Sequence, residues 1–488
     1  MASLEEIRST RLEKLKTLQE RGVDPYPVDT ERNISIAEVV KSFDDLLKTD
    51  ETKCIAGRVM ALREQGKIIF LDIEDGTGRF QALLKKGDPL PEDEFDLFQE
   101  AFDIGDFIEI KGTFFLTKKE EQTILAEHVR MLAKSLRPLP EKWHGLQDYE
   151  TRLRHRYLDI LFNQDVRKIF ELKEKFWIST RNFLKQEGFL EVETPTLELT
   201  TGGAEARPFQ THHNDFDLDV FLRISVGELW QKKLMASGIE KTFEIGRVYR
   251  NEGSSLEHVQ EFTNMEFYAA YMGFEEGKNL VQRLYRTIVQ EVFGKTAFET
   301  RGHKFDLADD WQEIDYVETI KKMTGVDVIG DEESVLRDKL LELGIEYEGD
   351  NRERMTDSLW KHCRKSISGP AFLVNHPKLV APLSKEHPEN IALTKTFQVI
   401  MAGSELGRAH AELNNPIDQK ERFDKQQELI DRGDEEAMMA DDEYVEMLEY
   451  GMPPTFGFGF GERFFAFLVD KPIREIQLFP LMKPKIDN

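Results

Sequence analysis

The chain has 488 residues, 32% of them charged, and a formal net charge of −26. That length predicts more than one domain, and that acidity excludes a generic polyanion binder, because the long-range field repels phosphate. Its two cysteines, Cys54 and Cys363, exclude a disulfide framework and a cysteine zinc site and fit a reducing compartment.

Residues 4–21 read as an amphipathic helix carrying Leu4, Ile7, Leu12, Leu15 and Leu18. This stretch is charged throughout, unlike a secretory signal, and no apolar run approaches a membrane span. A cytoplasmic protein with no membrane or DNA partner is the expectation. Two prolines in "GVDPYPVD" end the helix. From Lys53 to Leu132 the runs "CIAGRVMALRE", "KIIFLDIEDGTGRFQALL", "DFIEIKGTFFLT" and "QTILAEHVRML" predict about five strands, with one helix near Asp93–Ala101. This pattern suits a small all-β barrel of the OB type. Such barrels stack single-stranded bases on exposed aromatics, although filling the interior is the plainer role for any one Phe.

"SLRPLPEKWHG" reads as a linker. Helices are then expected over 151–161 and 165–187, the latter with Ile169, Phe170, Leu172, Phe176, Ile178 and Phe183 on its apolar face. "GFLEVETP" stops that helix. Strands follow in "DVFLRIS", "KTFEIGRVYR" and "FTNMEFYAAY", then a helix over 275–294. Residues 300–395 mix helices and turns without a chemical cluster. "KTFQVIMAGSEL" and "TFGFGFGERFFAFLVD" read as strands, the last passing into a helix. The order predicts an α+β domain on a mainly antiparallel sheet. The expected organisation is a helical extension at 1–50, the OB barrel at 51–137, a linker at 138–150 and the α+β domain at 151–488.

"YRNEGSSLEHVQEF" places Arg250 and Glu252 on one face at a strand end, His258 beyond a small turn, and Phe262 on the returning strand. A guanidinium grips phosphate in a fork, a carboxylate accepts from an exocyclic amine, and a ring stacks on a base. Together they describe a nucleotide held at both ends; the plainer alternative is an exposed hairpin with a surface ion pair. "GFGFGERFF" alternates Gly with Phe and then sets Arg463 at the start of an apolar helix, which lets a flat ligand lie on the strand.

"GFLEVETP", "FEIGRVYRNEGSSLEHVQEF" and "GFGFGERFF" resemble, in order, the three signature motifs of class II aminoacyl-tRNA synthetases. The barrel in front is similar to that of the lysyl, aspartyl and asparaginyl subgroup. "RPLPEKWHGLQDYETRLRHRYLD", "GGAEARPFQTHHND", "AELNNPIDQKERF" and "FPLMKP" resemble bacterial-type lysyl-tRNA synthetases in particular. The likeness runs from about residue 10 to the C-terminus and is weakest across 300–370.

The resemblance implies attachment of L-lysine to tRNA(Lys) through a lysyl-adenylate, with ATP as substrate, Mg2+ as cofactor and a homodimer as the working unit. It implies that Arg250 grips the α-phosphate and the substrate carboxylate, that Glu252 accepts from adenine, that Phe262 and Arg463 flank the ring, and that His258 meets the outer phosphates. Glu266 and Glu412 would receive the ε-ammonium, Tyr268 would line its stem, and Glu228 with backbone near Gly203 would take the α-amine. Glu405 matches a metal ligand; Gln398 stands at the other, usually acidic, position. Arg408 and His410 replace a small or amide residue and an aromatic, and "RISVGEL" is one residue longer than the family pattern. Phe70 and Gln81 match anticodon-reading positions, with Arg58 and Arg63 as possible phosphate contacts. An aspartyl- or asparaginyl-like ligase and a non-catalytic RNA-binding paralogue remain the alternatives.

Overall fold

The computed structural model describes residues 3–140, 146–204, 206–347, 351–432 and 437–484. Residues 141–145 of the expected linker and Glu205 of "GGAEARPF" lie outside the described residues. The chain divides into two compact units, Met1–Arg152 and Leu153–Asn488.

In the first unit α1 (Leu4–Glu20) and α2 (Ile36–Thr49) each start on a capping box. The Ser3 and Ser35 hydroxyls accept from the backbone of Glu6 and Glu38, whose carboxylates accept from the capping residue's own N–H. Of the expected apolar stripe Leu18 is buried, Ile7, Leu12 and Leu15 are half-buried and Leu4 is exposed. Buried Arg11 adds a polar hold, donating to the carbonyls of Ile104, Ser135 and Arg137. The strands β1 (Lys53–Gln65), β2 (Ile68–Glu74) and β3 (Arg79–Lys85) are followed by α3 (Glu92–Ala101), β4 (Phe107–Leu116) and β5 (Gln122–Ala133). They close into a barrel in the order β1-β2-β3-β5-β4. Alternation puts Ile69, Leu71, Ile73, Phe80, Ala82 and Leu84 inside, and Phe70 and Gln81 on the outer face.

The helix expected over 151–161 is two helices, α4 (Tyr149–Arg154) and α5 (Arg156–Phe162), because His155 leaves helical geometry at φ −111 and ψ 46. Then come α6 (Gln164–Gln186), β6 (Leu190–Glu191), β7 (Leu197–Glu198), β8 (Gln210–His213), β9 (Leu218–Leu222) and α7 (Glu228–Ala236). In α6 Phe176 and Phe183 are buried as expected, whereas Ile178 is exposed. The hairpin β10 (Lys241–Tyr249) and β11 (Glu261–Ala270) leads into α8 (Phe274–Phe293). The next stretch holds β12 (Ala297–Thr300), β13 (His303–Asp306), β14 (Gln312–Asp315), α9 (Tyr316–Thr324), α10 (Glu333–Glu342) and α11 (Arg352–Cys363). The chain continues through β15 (Ala371–Pro377), β16 (Glu386–His387), β17 (Asn390–Met401), β18 (Ser404–Ala411), α12 (Pro416–Asp431) and α13 (Asp442–Tyr450) to β19 (Thr455–Gly461) and α14 (Arg463–Leu468).

Nine strands form the main sheet, in the order β14-β15-β17-β18-β19-β11-β10-β6 with β16 on β17. Its pairs are antiparallel except β10 with β6 and β14 with β15. The fold is therefore an α+β domain on a mainly antiparallel sheet, with an OB-type barrel in the other unit. Phe456, Phe458 and Phe460 of β19 and Phe464, Phe465 and Phe467 of α14 are all buried in one cluster around Tyr285 of α8. Among the described residues no helix is long and apolar enough to cross a membrane.

Candidate active site

The alternation in β19 that buries its phenylalanines turns its glycines to the opposite face of the sheet. There Gly461, Gly459 and Gly457 pair with Asn264, Glu266 and Tyr268 of β11. From Gly457 to Gly461 the strand has no side chain on this face, and each glycine lies under a different functional group. A Cβ at Gly457 would lie 2.1 Å from Glu412 Oε1 and 2.6 Å from the Tyr268 ring. At Gly459 it would lie 2.8 Å from Glu266 Cγ, and at Gly461 3.3 Å from the Phe262 ring.

One end of this floor is acidic. Glu228, Glu266 and Glu412 are all buried. Glu266 Oε1 accepts from Val226 N at 2.8 Å and Asn264 Nδ2 at 3.0 Å, and Oε2 accepts from Tyr268 OH at 2.9 Å. Burial and the nearby Glu228 push Glu266 up, to about 7, against those donors. Glu412 differs. Its Oε2 stands 2.5 Å from Lys232 Nζ, but neither oxygen accepts a well-aligned hydrogen bond. Burial pushes Glu412 up, to about 8; Lys232 opposes the shift, and Glu228 and Glu266 add to it. Glu228 Oε1 accepts from the same Lys232 Nζ at 2.7 Å. Burial alone would lower Lys232, but Glu228 and Glu412 more than offset it and the ammonium is held charged.

Gly203 closes this end with φ +87; a Cβ there would meet Ser225 Oγ at 2.5 Å and Glu228 Oε2 at 2.6 Å, so only glycine fits. Gly227 of "RISVGEL" takes a left-handed conformation, φ 64 and ψ 38, as the N-cap of α7, and Glu228 follows as the first residue of the helix. His410 is half-buried, hydrogen-bonded to Thr396 Oγ1 at 3.0 Å, and desolvation with Arg408 nearby drives it well below the usual imidazole range. It is therefore neutral at physiological pH. Arg408 turns its Nη2 to the Val380 carbonyl at 2.6 Å.

The other end is basic and aromatic. Arg250 follows β10, donates from Nε and Nη2 to the Ile224 carbonyl at 3.3 Å each, and lies 5.4 Å from the centre of the Phe262 ring. Glu252 follows two residues on and lends its carbonyl to Gln260 Nε2. Arg463 opens α14 and donates to His258 Nε2 at 3.1 Å, while His258 Nδ1 faces Ser255 Oγ at 2.7 Å. His258 keeps part of its ring in solvent. Desolvation of the rest and the positive Arg463 push it down, to about 4. Glu257, which sequence reasoning missed, lies among these groups. It accepts from Arg301 Nη1 and from Ser404 Oγ at 2.9 Å, and stands 3.8 Å from Arg463 Nε. A carboxylate thus stands against two arginines, Arg301 and Arg463.

Glu405 of β18 accepts from Trp360 Nε1 at 2.7 Å and from Gln398 Nε2 at 3.0 Å, with Arg364 Nε 3.8 Å away. Gln398 in turn faces His376 Nε2 at 3.0 Å. The amide at 398 is thus a hydrogen-bonding partner of Glu405. Among the described residues no group of three His, Cys, Asp or Glu side chains is arranged to hold a metal. This donor set fits a magnesium ion carried on nucleotide phosphates with one protein carboxylate, and does not fit an ion held by protein alone.

In the barrel unit Phe70 is half-buried on the outer face. Gln81 is buried: its carbonyl accepts from Arg63 Nη2 at 3.1 Å and its amide donates to Thr123 Oγ1 at 2.8 Å. Arg58 lies over the Phe107 ring at 4.1 Å and bonds the Gly105 carbonyl. The residues sequence reasoning missed are Lys232, Glu257, Arg301, Trp360, Arg364 and His376. Only Lys232 carried a local signal, its spacing of four from Glu228 on one helix face.

Residues 148–483 match the family model for tRNA synthetases class II (D, K and N), and residues 53–132 match that of the OB-fold nucleic acid binding domain. Proteins named lysine–tRNA ligase from Thermotoga maritima, Roseiflexus sp. (strain RS-1) and Pelotomaculum thermopropionicum are 40%, 41% and 41% identical to this chain. Each alignment covers 99% of it, and 97%, 99% and 96% of those proteins respectively. By these likenesses the chain belongs to the class II tRNA synthetase family (D, K and N).

Proposed function

We infer that the chain attaches L-lysine to tRNA(Lys) at the expense of ATP, through a lysyl-adenylate. The observation that carries the choice of amino acid is Glu412. One of its oxygens is buried without a donor, between the Tyr268 ring and the bare backbone of Gly457. An apolar side chain would leave that oxygen desolvated and unpaired, whereas an ammonium tip pairs it. An aspartate side chain would meet three carboxylates, and the cation there, Lys232, is already shared by two of them.

In the first step a lysine carboxylate oxygen attacks the α-phosphorus, the bond to the bridging oxygen breaks and pyrophosphate leaves. Arg250 is poised to take both the substrate carboxylate and the α-phosphate, with Phe262 beside it for the adenine ring, Glu252 for the adenine amine and Arg463 on the other side. Incoming phosphates replace Glu257 on Arg463 and accept from His258. The attacking group comes with the substrate, so catalysis is alignment and neutralisation of developing charge. Magnesium bound with the nucleotide, with Glu405 as its protein ligand, would supply further neutralisation. In the second step a ribose hydroxyl of tRNA attacks the adenylate carbonyl and AMP leaves.

Amino-acid-dependent exchange of pyrophosphate into ATP, run with all twenty amino acids, tests this reading. Lysine alone is expected to support it; exchange with aspartate or asparagine alone would overturn the substrate, and silence with all twenty would favour a non-catalytic RNA-binding paralogue. Arg250→Ala is expected to stay folded and lose about 10³-fold or more in exchange, and near-normal exchange would remove its assigned role. We also propose a cytoplasmic homodimer. The exposed apolar side chains of Leu190, Leu197 and Leu199 support it, and a single-chain mass in sedimentation would remove it.

A further inference from the structure

We propose that Lys232 is a built-in spacer that fixes the separation of the two amine-binding carboxylates and thereby sets which diamino acid the pocket accepts. This rests on the lysine reading above and goes beyond it in naming what determines chain-length selectivity.

Lys232 and Glu228 lie one turn apart on the same face of α7. The Lys232 side chain is fully buried, and its ammonium is 2.7 Å from Glu228 Oε1, 2.5 Å from Glu412 Oε2 and 5.7 Å from the centre of the Tyr268 ring. One nitrogen therefore ties a helix start to the end of β18. It uses one oxygen of each carboxylate, and the other two have defined places. Glu228 Oε2 faces the Gly203 backbone and Glu412 Oε1 faces the Gly457 backbone, each with no room there for a Cβ. Two oxygens held through one shared nitrogen form a two-point gauge, the first for an α-amine and the second for a side-chain amine.

The charges agree with this. With lysine bound and all three carboxylates ionised, one ammonium against three buried carboxylates leaves two negative charges, which match the two ammonium groups of lysine, while the lysine carboxylate goes to Arg250. A cation that served only to neutralise the pocket would not need contact with both carboxylates at once. A shorter diamino acid reaches one oxygen and leaves the other unpaired.

The test measures kcat and KM in pyrophosphate exchange with lysine and with ornithine, one methylene shorter, for the full chain and for Lys232→Arg and Lys232→Met. Lys232→Arg keeps the charge and moves its position. It is expected to raise the lysine KM about tenfold or more, to leave kcat within about threefold, and to lower the preference for lysine over ornithine about tenfold. Lys232→Met removes the counter-charge and is expected to lose more in KM together with thermal stability. A folded Lys232→Arg enzyme with unchanged KM and unchanged preference overturns the proposal, as does a loss confined to kcat. Should both variants misfold, the structure of the unaltered chain with lysine bound decides. Lys232 still on both carboxylates, with the ligand amines on the other two oxygens, supports the spacer; Lys232 swung away from Glu412 overturns it. An unaltered chain with no lysine-dependent exchange overturns the amino-acid reading, and this inference with it, before any variant is compared.

Discussion

Glu266 and Glu412 are buried in one pocket but are satisfied in different ways. Glu266 is surrounded by three neutral donors, whereas Glu412 has one cation beside Oε2 and a buried Oε1 with no donor. Both are pushed up from the ordinary carboxylate range, to about 7 and about 8, chiefly by burial. The sign of the consequence follows from proton counting. Between the unfolded carboxyl value and these raised values the native state holds protons that the unfolded chain has released, so the unliganded fold loses stability as pH rises through that window. A bound ammonium needs the ionised forms, so lysine affinity rises over the same window. The lysine KM is therefore expected to fall between about pH 6 and about pH 8.5 while the ATP KM stays nearly flat, and lysine should raise the melting temperature more at the upper pH. A lysine KM that is level or rises with pH would show that these carboxylates do not receive the amine. Arg250, Glu252 and Phe262 stood out in the sequence because they share one short motif whose offsets suit a nucleotide, and Glu266 and Glu412 stood out through the family resemblance. Glu257, Arg301, Trp360 and His376 were not, because their partners lie dozens of residues away and only the fold brings them together.

At the scale of the element, β19 lays three glycines beneath the groups proposed to hold the two substrates. Its alternation was readable, and it dictated that if the phenylalanines fill the core the glycines must face outward. What could not be read was the order of neighbours along it: Glu412 and Tyr268 over Gly457, Glu266 over Gly459, Phe262 over Gly461. That order predicts separable effects. Gly457→Ala presses a methyl against the amine-binding oxygen and is expected to raise the lysine KM about tenfold or more, with the ATP KM little changed. Gly461→Ala meets Asn264 Oδ1 at 3.1 Å and the Phe262 ring at 3.3 Å, contacts that can give slightly, and should raise the ATP KM by a few-fold at most. Each costs about 1–3 kcal/mol of stability through overpacking. If both raise the two constants equally, the strand does not divide the substrates. Other elements show where pattern reading stopped. The S-x-x-E signal of α2 at Ser35 and Glu38 was present and passed over, while the break at His155 had no composition cue.

At the scale of the molecule the two units carry different chemistry, and the stretch least like the family contributes to one of them. Between residues 300 and 370 the sequence offered only helices and turns, yet Arg301, Trp360 and Arg364 reach Glu257, Glu405 and Ser404. Those helices pack their own core around Trp360 and Tyr316, which is why their pattern looked purely structural. The barrel was legible as five strands and a helix, but the roles of its outer residues were only half legible. Gln81 has both ends of its amide occupied by Arg63 and Thr123, so it must release a protein partner before it can read a base. Phe70 has no such obligation: it is half-buried on the outer face, and a ring needs only one open side to stack. In so acidic a chain, stacking also adds affinity that the long-range field does not oppose. Phe70→Ala in the full chain is therefore expected to raise the KM for tRNA in aminoacylation by about tenfold, from the loss of one stacked base worth about 1–3 kcal/mol. Gln81→Ala should cost less. Pyrophosphate exchange without tRNA should stay within about twofold of the unaltered chain in both variants, since Phe70 and Gln81 belong to the barrel unit and the groups proposed for exchange belong to the other. A fall in exchange equal to the fall in aminoacylation would show that Phe70 supports the catalytic unit, and an unchanged tRNA KM would show that the barrel meets tRNA through some other surface.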